Sequence, residues 1–214
     1  MKNYLNSSIM LVFLVLVTIG SGCSLLGIRT VETPGYQVIA SEDDKQIRKY
    51  HSYIEARTVV PGNYEEAGDE AFRRLFDYIS GENVSGEEIE MTAPVTQEKK
   101  GEKIEMTAPV KQTPTDKGWS MGFVLPAEYD ITNAPRPVNE DIRLIRVPPT
   151  TRAVLRYSGF TGEEKILRLA NQLANWAESK GFKTIGKPVS ARYDPPWTIP
   201  FLRRNEIWIE VEQK

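Results

Sequence analysis

The strongest constraint on the fold is an order of strand and helix patterns that occurs twice along the chain. Residues 63–80 and 162–180 each have apolar side chains spaced three and four positions apart, as in a helix that packs on one face. Asn63 can cap the first helix, and Gly81 and Gly181 can end the two helices because glycine tolerates a left-handed conformation. Short strand patterns flank the helices at residues 35–40, 45–50, 53–60, 119–125, 142–147, 153–157, 189–193 and 206–212.

Two successive units of strand, strand, helix, strand and strand predict an α+β domain with pseudo-twofold symmetry. We expect its antiparallel sheet to close into a distorted β-barrel or saddle, with two flanking α-helices on the outside. No linker-like segment separates the two units, so residues 35–214 are predicted to form one domain.

The first 22 residues have the pattern of a secretory signal peptide. Lys2 is the only early charge, residues 9–19 are almost wholly apolar, and small residues precede Cys23, the only cysteine. That apolar run is too short for a membrane-spanning helix, which needs about 20 residues. Because the segment resembles a bacterial lipoprotein signal, we predict a signal peptide over residues 1–22, lipid modification of Cys23 and a tether over residues 23–34.

A lipid-modified Cys23 would anchor the protein in the cell envelope, since two or more acyl chains give stable membrane attachment. In a Gram-negative cell we expect the periplasmic side of the outer membrane. An ordinary signal peptide and an uncleaved anchor are the alternatives.

The sequence contains few of the residues and motifs that enzymes use for catalysis. His51 is the only histidine, and the chain has no GxSxG, GxGxxG or P-loop motif. One histidine and one cysteine also supply too few ligands for a zinc site. The 27 basic and 29 acidic residues leave a formal net charge of −2, without the basic excess of a nucleic-acid-binding domain. We therefore expect a binding protein rather than an enzyme, and no nucleic-acid partner.

The string IEMTAPV occurs at residues 89–95 and again at residues 104–110. In an extended strand, Met91 and Met106 would share a face with the apolar residues of their own copies. The polar segment between the copies predicts that they form an antiparallel hairpin, with both methionines in the barrel interior. The alternative is that the two methionines line a ligand pocket or bind a metal through sulfur.

The segment YDPPWTIPFLRRNEIWIEV, at residues 193–211, is the most unusual in the chain. Its three prolines stiffen a loop that carries Trp197 and Phe201, and Arg203 and Arg204 follow directly. Apolar walls beside a group that pairs with carboxylates suit a planar ligand with carboxylate arms. The alternative is that the aromatic residues only cap the barrel end while one arginine pairs with the glutamate of the RRNE motif.

Several of these motifs resemble those of the SOUL family of heme-binding proteins. The resemblance rests on YQVI and IRKY near the start, on MTAPV, and on YDPP followed by RRNEIW, and it extends over residues 35–211. It implies two similar halves forming a distorted antiparallel barrel with two flanking helices, a fold similar to that of effector-binding domains. It also implies noncovalent binding of heme or another tetrapyrrole.

The resemblance implies that heme binds between the first helix and the loop before RRNE. Some family members are thought to use a histidine near the IRKY strand as an axial ligand, which makes His51 the candidate, with an ordinary surface histidine as the alternative. Carried onto matching positions, the implied heme surface consists of Asp69, Phe72, Arg73, Phe76, Trp197, Thr198, Ile199, Phe201 and Arg203.

Two other functions stay open at this point. Effector-binding domains hold apolar, often cationic small molecules, and Asp69 and Asp77 would suit a cation. The chain could instead be a protein-interaction module of the envelope, with the loop docking a partner.

Overall fold

The computed structural model describes residues 31–85 and 101–214. The helices are α1, Tyr64–Ile79, and α2, Glu163–Ser179, and a short 3-10 helix spans Pro200–Leu202. The strands are β1 Tyr36–Glu42, β2 Lys45–Tyr50, β3 Tyr53–Val60, β4 Asn83–Val84, β5 Val110–Thr115, β6 Gly118–Val124, β7 Arg136–Pro137, β8 Arg143–Val147, β9 Thr150–Tyr157, β10 Phe182–Arg192 and β11 Asn205–Gln213.

Nine of these strands form one antiparallel sheet, in the order β1-β2-β9-β11-β10-β5-β6-β3-β8, and β4 pairs with β7 separately. The two halves meet where β5 pairs with β10, and the strands follow in equivalent order on either side of that pair. Each half also pairs with a strand of the other half: β2 of the first half pairs with β9 of the second, and β8 of the second half pairs with β3 of the first. This exchange explains why no linker separates the two units.

The α+β class, the antiparallel sheet and the two helices are therefore confirmed, but the sheet is not a closed barrel. Among the described residues, β1 pairs only with β2 and β8 pairs only with β3, so the sheet ends in two edges. A barrel would require a further strand pairing that joins those edges.

The helix ends follow the predicted capping. The Asn63 side chain accepts hydrogen bonds from the amides of Glu65 and Glu66 at 3.1 and 3.0 Å. Gly81 and Gly181 follow the two helices with φ of +120° and +84°, a region that disfavours other residues.

Both helices pack on the same face of the sheet. α1 covers β3 and β6, and α2 covers β9, β10 and β11. Along β11 the side chains alternate, so that Ile207 and Ile209 pack beneath α2 while Trp208 belongs to a smaller cluster on the opposite face. The sheet therefore offers two separate surfaces, one on the helix side and one facing away from the helices.

The predicted IEMTAPV hairpin is wrong for the second copy, and the first copy lies outside the described residues. Only Val110 of the second copy belongs to a strand. The amides of Ile104 and Ala108 bond instead to the carbonyls of Ile79 and Glu32, at 2.8 and 2.9 Å, which draws the segment away from strand pairing. Met106 is 39% exposed and does not fill the interior.

Of the helices described, none combines the length and apolar character needed to cross a membrane. The described part of the chain also contains no cluster of three or more His, Cys, Asp or Glu side chains that could hold a metal ion.

Candidate functional site

One side of α1 carries two partly exposed phenylalanines, Phe72 and Phe76. Phe72 and Phe76 are four residues apart and therefore share one face of the helix, with their rings stacked at 6.0 Å. Phe72 also contacts Phe123 of β6 edge-on at 5.3 Å, which fixes it against the sheet. Asp69 and Arg73 are exposed on the same helix.

Arg73 is not a free cation. Its guanidinium forms ion pairs with Glu70 at 2.8 Å and with Asp77 at 3.4 Å, both on α1. An incoming carboxylate would therefore have to compete with two acidic neighbours for this side chain.

The loop between β10 and β11, residues 194–204, presents two more exposed aromatic side chains. Trp197 is 64% exposed and Phe201 is 73% exposed. Ile199 is half-buried, and Thr198 is fully buried, so Thr198 supports the loop from within and offers no binding surface.

Arg203 braces this loop. Its Nε donates to the Thr198 carbonyl at 2.8 Å and its Nη2 donates to the Pro196 carbonyl at 2.6 Å. The guanidinium also lies 5.4 Å from the ring centroid of Phe160, in the turn between β9 and α2. Its Nη1 makes no hydrogen bond with the described residues, so this group can still face a ligand.

Phe160 is a candidate site residue that sequence reasoning missed. It is 69% exposed, and its turn is attached to the loop by a 2.8 Å hydrogen bond from the Gly159 amide to the Pro200 carbonyl. Its only signal in the sequence is an aromatic residue inside the turn-forming string SGFTG, between a strand and a helix.

Glu206, near the start of β11, binds residues at both ends of the loop. Its fully buried carboxylate accepts hydrogen bonds from Arg48, Arg204, Tyr193 and Trp208, at 3.1, 2.7, 2.8 and 2.7 Å. The sequence alternative that an arginine pairs with Glu206 thus describes Arg204, whereas Arg203 faces the loop. The Arg204–Glu206 pair of the RRNE motif therefore has a structural role, because it fixes the position at which the loop joins β11.

The charges around Glu206 also set its protonation. Burial acts to raise the pKa of this carboxyl, but the guanidinium groups of Arg48 and Arg204 and the Trp208 hydrogen bond hold the pKa below its ordinary value. Burial and the neighbouring Glu206 charge raise the pKa of the Tyr193 hydroxyl, so tyrosine donates and glutamate accepts.

The structure brings the α1 face and the loop to the same end of the sheet. Arg192, the last residue of β10, pairs with Val110. Val110 pairs in turn with Phe123, against which Phe72 packs. Two strand spacings of about 4.8 Å place Phe123 roughly 10 Å from the base of the loop. The two sets of exposed aromatic residues can thus contribute to one surface.

His51 lies elsewhere. It follows Tyr50, which pairs with Thr150 at the start of β9, whereas Asn205, which follows the loop, pairs with Tyr157 at the end of β9. The length of this eight-residue strand is roughly 23 Å at the rise of extended chain. The structure therefore does not bring His51 to the loop.

Comparison of the sequence with known proteins identifies a family. A family model described as SOUL heme-binding protein matches residues 31–101 and 96–210. The chain belongs to the SOUL heme-binding family. This SOUL protein is 29% identical over 203 residues to heme-binding protein 1 of Sus scrofa, covering 87% of the chain and 95% of the relative. It is 27% identical over 190 residues to heme-binding protein 2 of Homo sapiens, covering 85% and 86%.

Solved structures confirm the fold. The SOUL protein matches the C-terminal domain of EcmrR with a TM-score of 0.50 and 13% identity, over 84% of this chain and 99% of that one. It matches a hydrolase from Listeria innocua with a TM-score of 0.51 and 9% identity, over 81% and 94%. At such low identity these similarities concern the fold alone.

Proposed function

We propose that this SOUL protein binds heme or a related tetrapyrrole noncovalently, on the surface formed by the side of α1 that carries Phe72 and Phe76 and by residues 194–204. The observation that carries the proposal is the exposure of Phe72, Phe76, Trp197 and Phe201 at one end of the sheet. Aromatic side chains are costly to leave in water, and a concentration of them marks a binding surface. Membership of a heme-binding family supports a planar macrocycle as the ligand.

The residues present fit such a ligand. The exposed aromatic rings provide flat apolar contacts for a macrocycle. The Nε and Nη2 of Arg203 are bonded within the loop, which leaves its Nη1 to pair with an acidic substituent. The chain's only histidine lies away from this surface. Heme iron would supply redox and ligand-binding chemistry when bound, while the protein holds the macrocycle by apolar contact and charge pairing.

We further propose that the role is binding rather than catalysis, and that it is exercised in the cell envelope. The envelope assignment is supported by the residue pattern around Cys23, which lies outside the described residues. Radiolabelled palmitate incorporated into the wild-type protein but not into Cys23→Ala would support anchoring, and labelling of both or neither would contradict it.

The binding proposal is tested by titrating the purified protein with hemin and following the Soret band. We expect a saturable change at micromolar protein with one hemin per chain. His51→Ala should bind hemin as the wild type does, because His51 lies roughly 23 Å along β9 from the loop. Arg203→Ala should bind more weakly.

Absence of a saturable Soret change would contradict tetrapyrrole binding. A hydrophobic cation that binds saturably while hemin does not would favour the alternative ligand class. Loss of the Soret change in His51→Ala alone would show that the histidine, rather than the loop, defines the site.

A further inference from the structure

The face of the sheet that points away from the helices contains a cavity of about 410 Å³. It is lined by residues from both halves of the sheet, and its apolar wall includes Trp208, Val189, Ile185 and Val147. Its size lies within the range of about 300–1,000 Å³ typical of small-molecule sites. Because the exposed aromatic residues of α1 lie on the helix side, this cavity is separate from the proposed tetrapyrrole surface.

Arg152 is the unusual group in this cavity. It is only 8% exposed, and its Nη1 donates a 3.0 Å hydrogen bond to the Tyr53 hydroxyl. Its guanidinium lies 5.1 Å from the ring centroid of Trp208 and 5.2 Å from that of Tyr50. Within the described residues, it forms no ion pair with a carboxylate. Aromatic faces stabilise a cation by less than a paired carboxylate does, so a buried arginine of this kind is rare.

The acidic side chains that line the cavity, Glu55 and Glu210, do not neutralise Arg152. Glu55 is buried between Lys111 and Arg57 and forms ion pairs with both. Any other residue at position 122 would place its Cβ 2.0 Å from a Glu55 carboxylate oxygen, which is a steric clash. Gly122 therefore leaves the space in which the Glu55 carboxylate lies. Glu210 is opposite Arg152 in the strand register but forms no ion pair with it.

The lining as a whole has more positive than negative charge. Glu55 and Glu210 are its acidic members, and Arg57, Lys111, Arg152 and Lys187 are its basic members. Lys187 is partly neutralised by Asp116 at 3.0 Å, outside the cavity lining. A cationic ligand would therefore meet repulsion here, and an anionic ligand would meet attraction.

We propose that this cavity binds a small organic carboxylate, with the carboxylate paired to Arg152 and an aromatic or aliphatic body packed against Trp208, Val189 and Ile185. A guanidinium matches the two oxygens of a carboxylate in geometry and charge. The ligand would supply the counter-ion that the described residues do not, while the apolar wall would exclude small hydrated anions.

The test compares three probes of the same size and different charge by isothermal titration calorimetry on the full chain. They are 1-naphthoate, the neutral 1-naphthamide and the cationic 1-naphthylmethylammonium. We expect saturable binding of naphthoate and at least about tenfold weaker binding of the other two, since a hydrogen bond to a charged partner contributes that much.

Arg152→Gln should weaken naphthoate binding by at least about tenfold. Arg156→Gln is the matched control, because it removes the same charge from the same strand at an exposed position that does not line the cavity. Val189→Trp is a second test that retains Arg152: it should fill the cavity and abolish naphthoate binding, including in the event that Arg152→Gln fails to fold.

Equal affinity for the three probes, absence of saturable naphthoate heat, or unchanged binding in Arg152→Gln or Val189→Trp would overturn the proposal. Naphthoate should also leave the hemin titration unchanged, and displacement of hemin would assign it to the helix-side surface instead. Failure of hemin binding alone would contradict the tetrapyrrole proposal and leave this one intact.

Discussion

Glu206→Ala is expected to lower the free energy of unfolding by about 3–5 kcal/mol, the usual cost of removing one member of a buried ion pair. Alanine would leave Arg48 buried without its counter-ion and would remove the acceptor of Arg204, Tyr193 and Trp208. Equilibrium urea denaturation, followed by far-UV circular dichroism, measures the loss.

Glu212→Ala is the matched control for that change. Glu212 is exposed on the same strand, with only a 3.6 Å ion pair to Lys183, so its replacement should change stability by less than about 0.5 kcal/mol. A cost below about 1 kcal/mol for Glu206→Ala would show that the buried network does not hold the fold together.

The same network has a defined pH dependence. Because the pKa of Glu206 in the folded protein lies below its ordinary value of 4.5, the ionised carboxylate contributes its full stabilisation above about pH 4.5. That contribution is lost as the pH falls through the lowered pKa of the folded state. The stability difference between wild type and Glu206→Gln should therefore shrink as the pH is lowered below that value, and a constant difference would contradict this assignment.

Replacing Phe76 and Phe201 together with alanine is expected to weaken hemin binding on the order of a hundredfold or more. Burying an exposed phenylalanine ring against a ligand contributes up to roughly 1.5–3 kcal/mol to binding, and the alanine variant lacks this contribution. Phe76 is 46% exposed and Phe201 is 73% exposed, and neither belongs to a buried core cluster of the described residues, so the double variant should fold normally. The Soret titration gives the affinity, and circular dichroism gives the fold.

Leu167→Ala controls for a general loss of surface apolar area. Leu167 is 51% exposed on α2 and belongs neither to α1 nor to residues 194–204, so its removal should leave hemin affinity unchanged. An equal loss in Leu167→Ala, or none in the double variant, would contradict binding between α1 and the loop.

The individual elements could be predicted from sequence wherever local rules decide them. Asn63 and Gly81 fixed the limits of α1, and the alternation in Tyr53–Val60 predicted that strand correctly. β10 was predicted only from residue 189, because its register shifts between Ile185 and Val189 and interrupts the alternation.

Features that depend on distant partners could not be predicted from local patterns. The sheet is open because β1 and β8 each pair with only one strand among the described residues. The cross-half pairing of β2 with β9 and of β8 with β3 cannot be read from either unit alone. The second IEMTAPV copy has the composition of a strand, yet its Ile104 amide bonds to the carbonyl of Ile79 at the end of α1, and its Ala108 amide bonds to the carbonyl of Glu32.

The residues of the candidate site also fall into those that local motifs identify and those that depend on distant contacts. The resemblance identified the exposed Phe72 and Phe201, because their motifs are local. It did not identify Phe160, which reaches the loop only through the packing of two turns. Nor could sequence alone distinguish Arg203, which braces the loop, from Arg204, which pairs with Glu206.

The central claim is that a tetrapyrrole binds between α1 and residues 194–204. Its most direct test is a map of backbone amide chemical shifts on adding zinc protoporphyrin IX, a diamagnetic analogue of heme, to isotopically labelled protein. We predict that the largest changes fall within α1 around Phe72 and Phe76, within residues 194–204, and at Phe160. Changes concentrated around His51, or around Arg152 in the cavity on the opposite face, would contradict the claim.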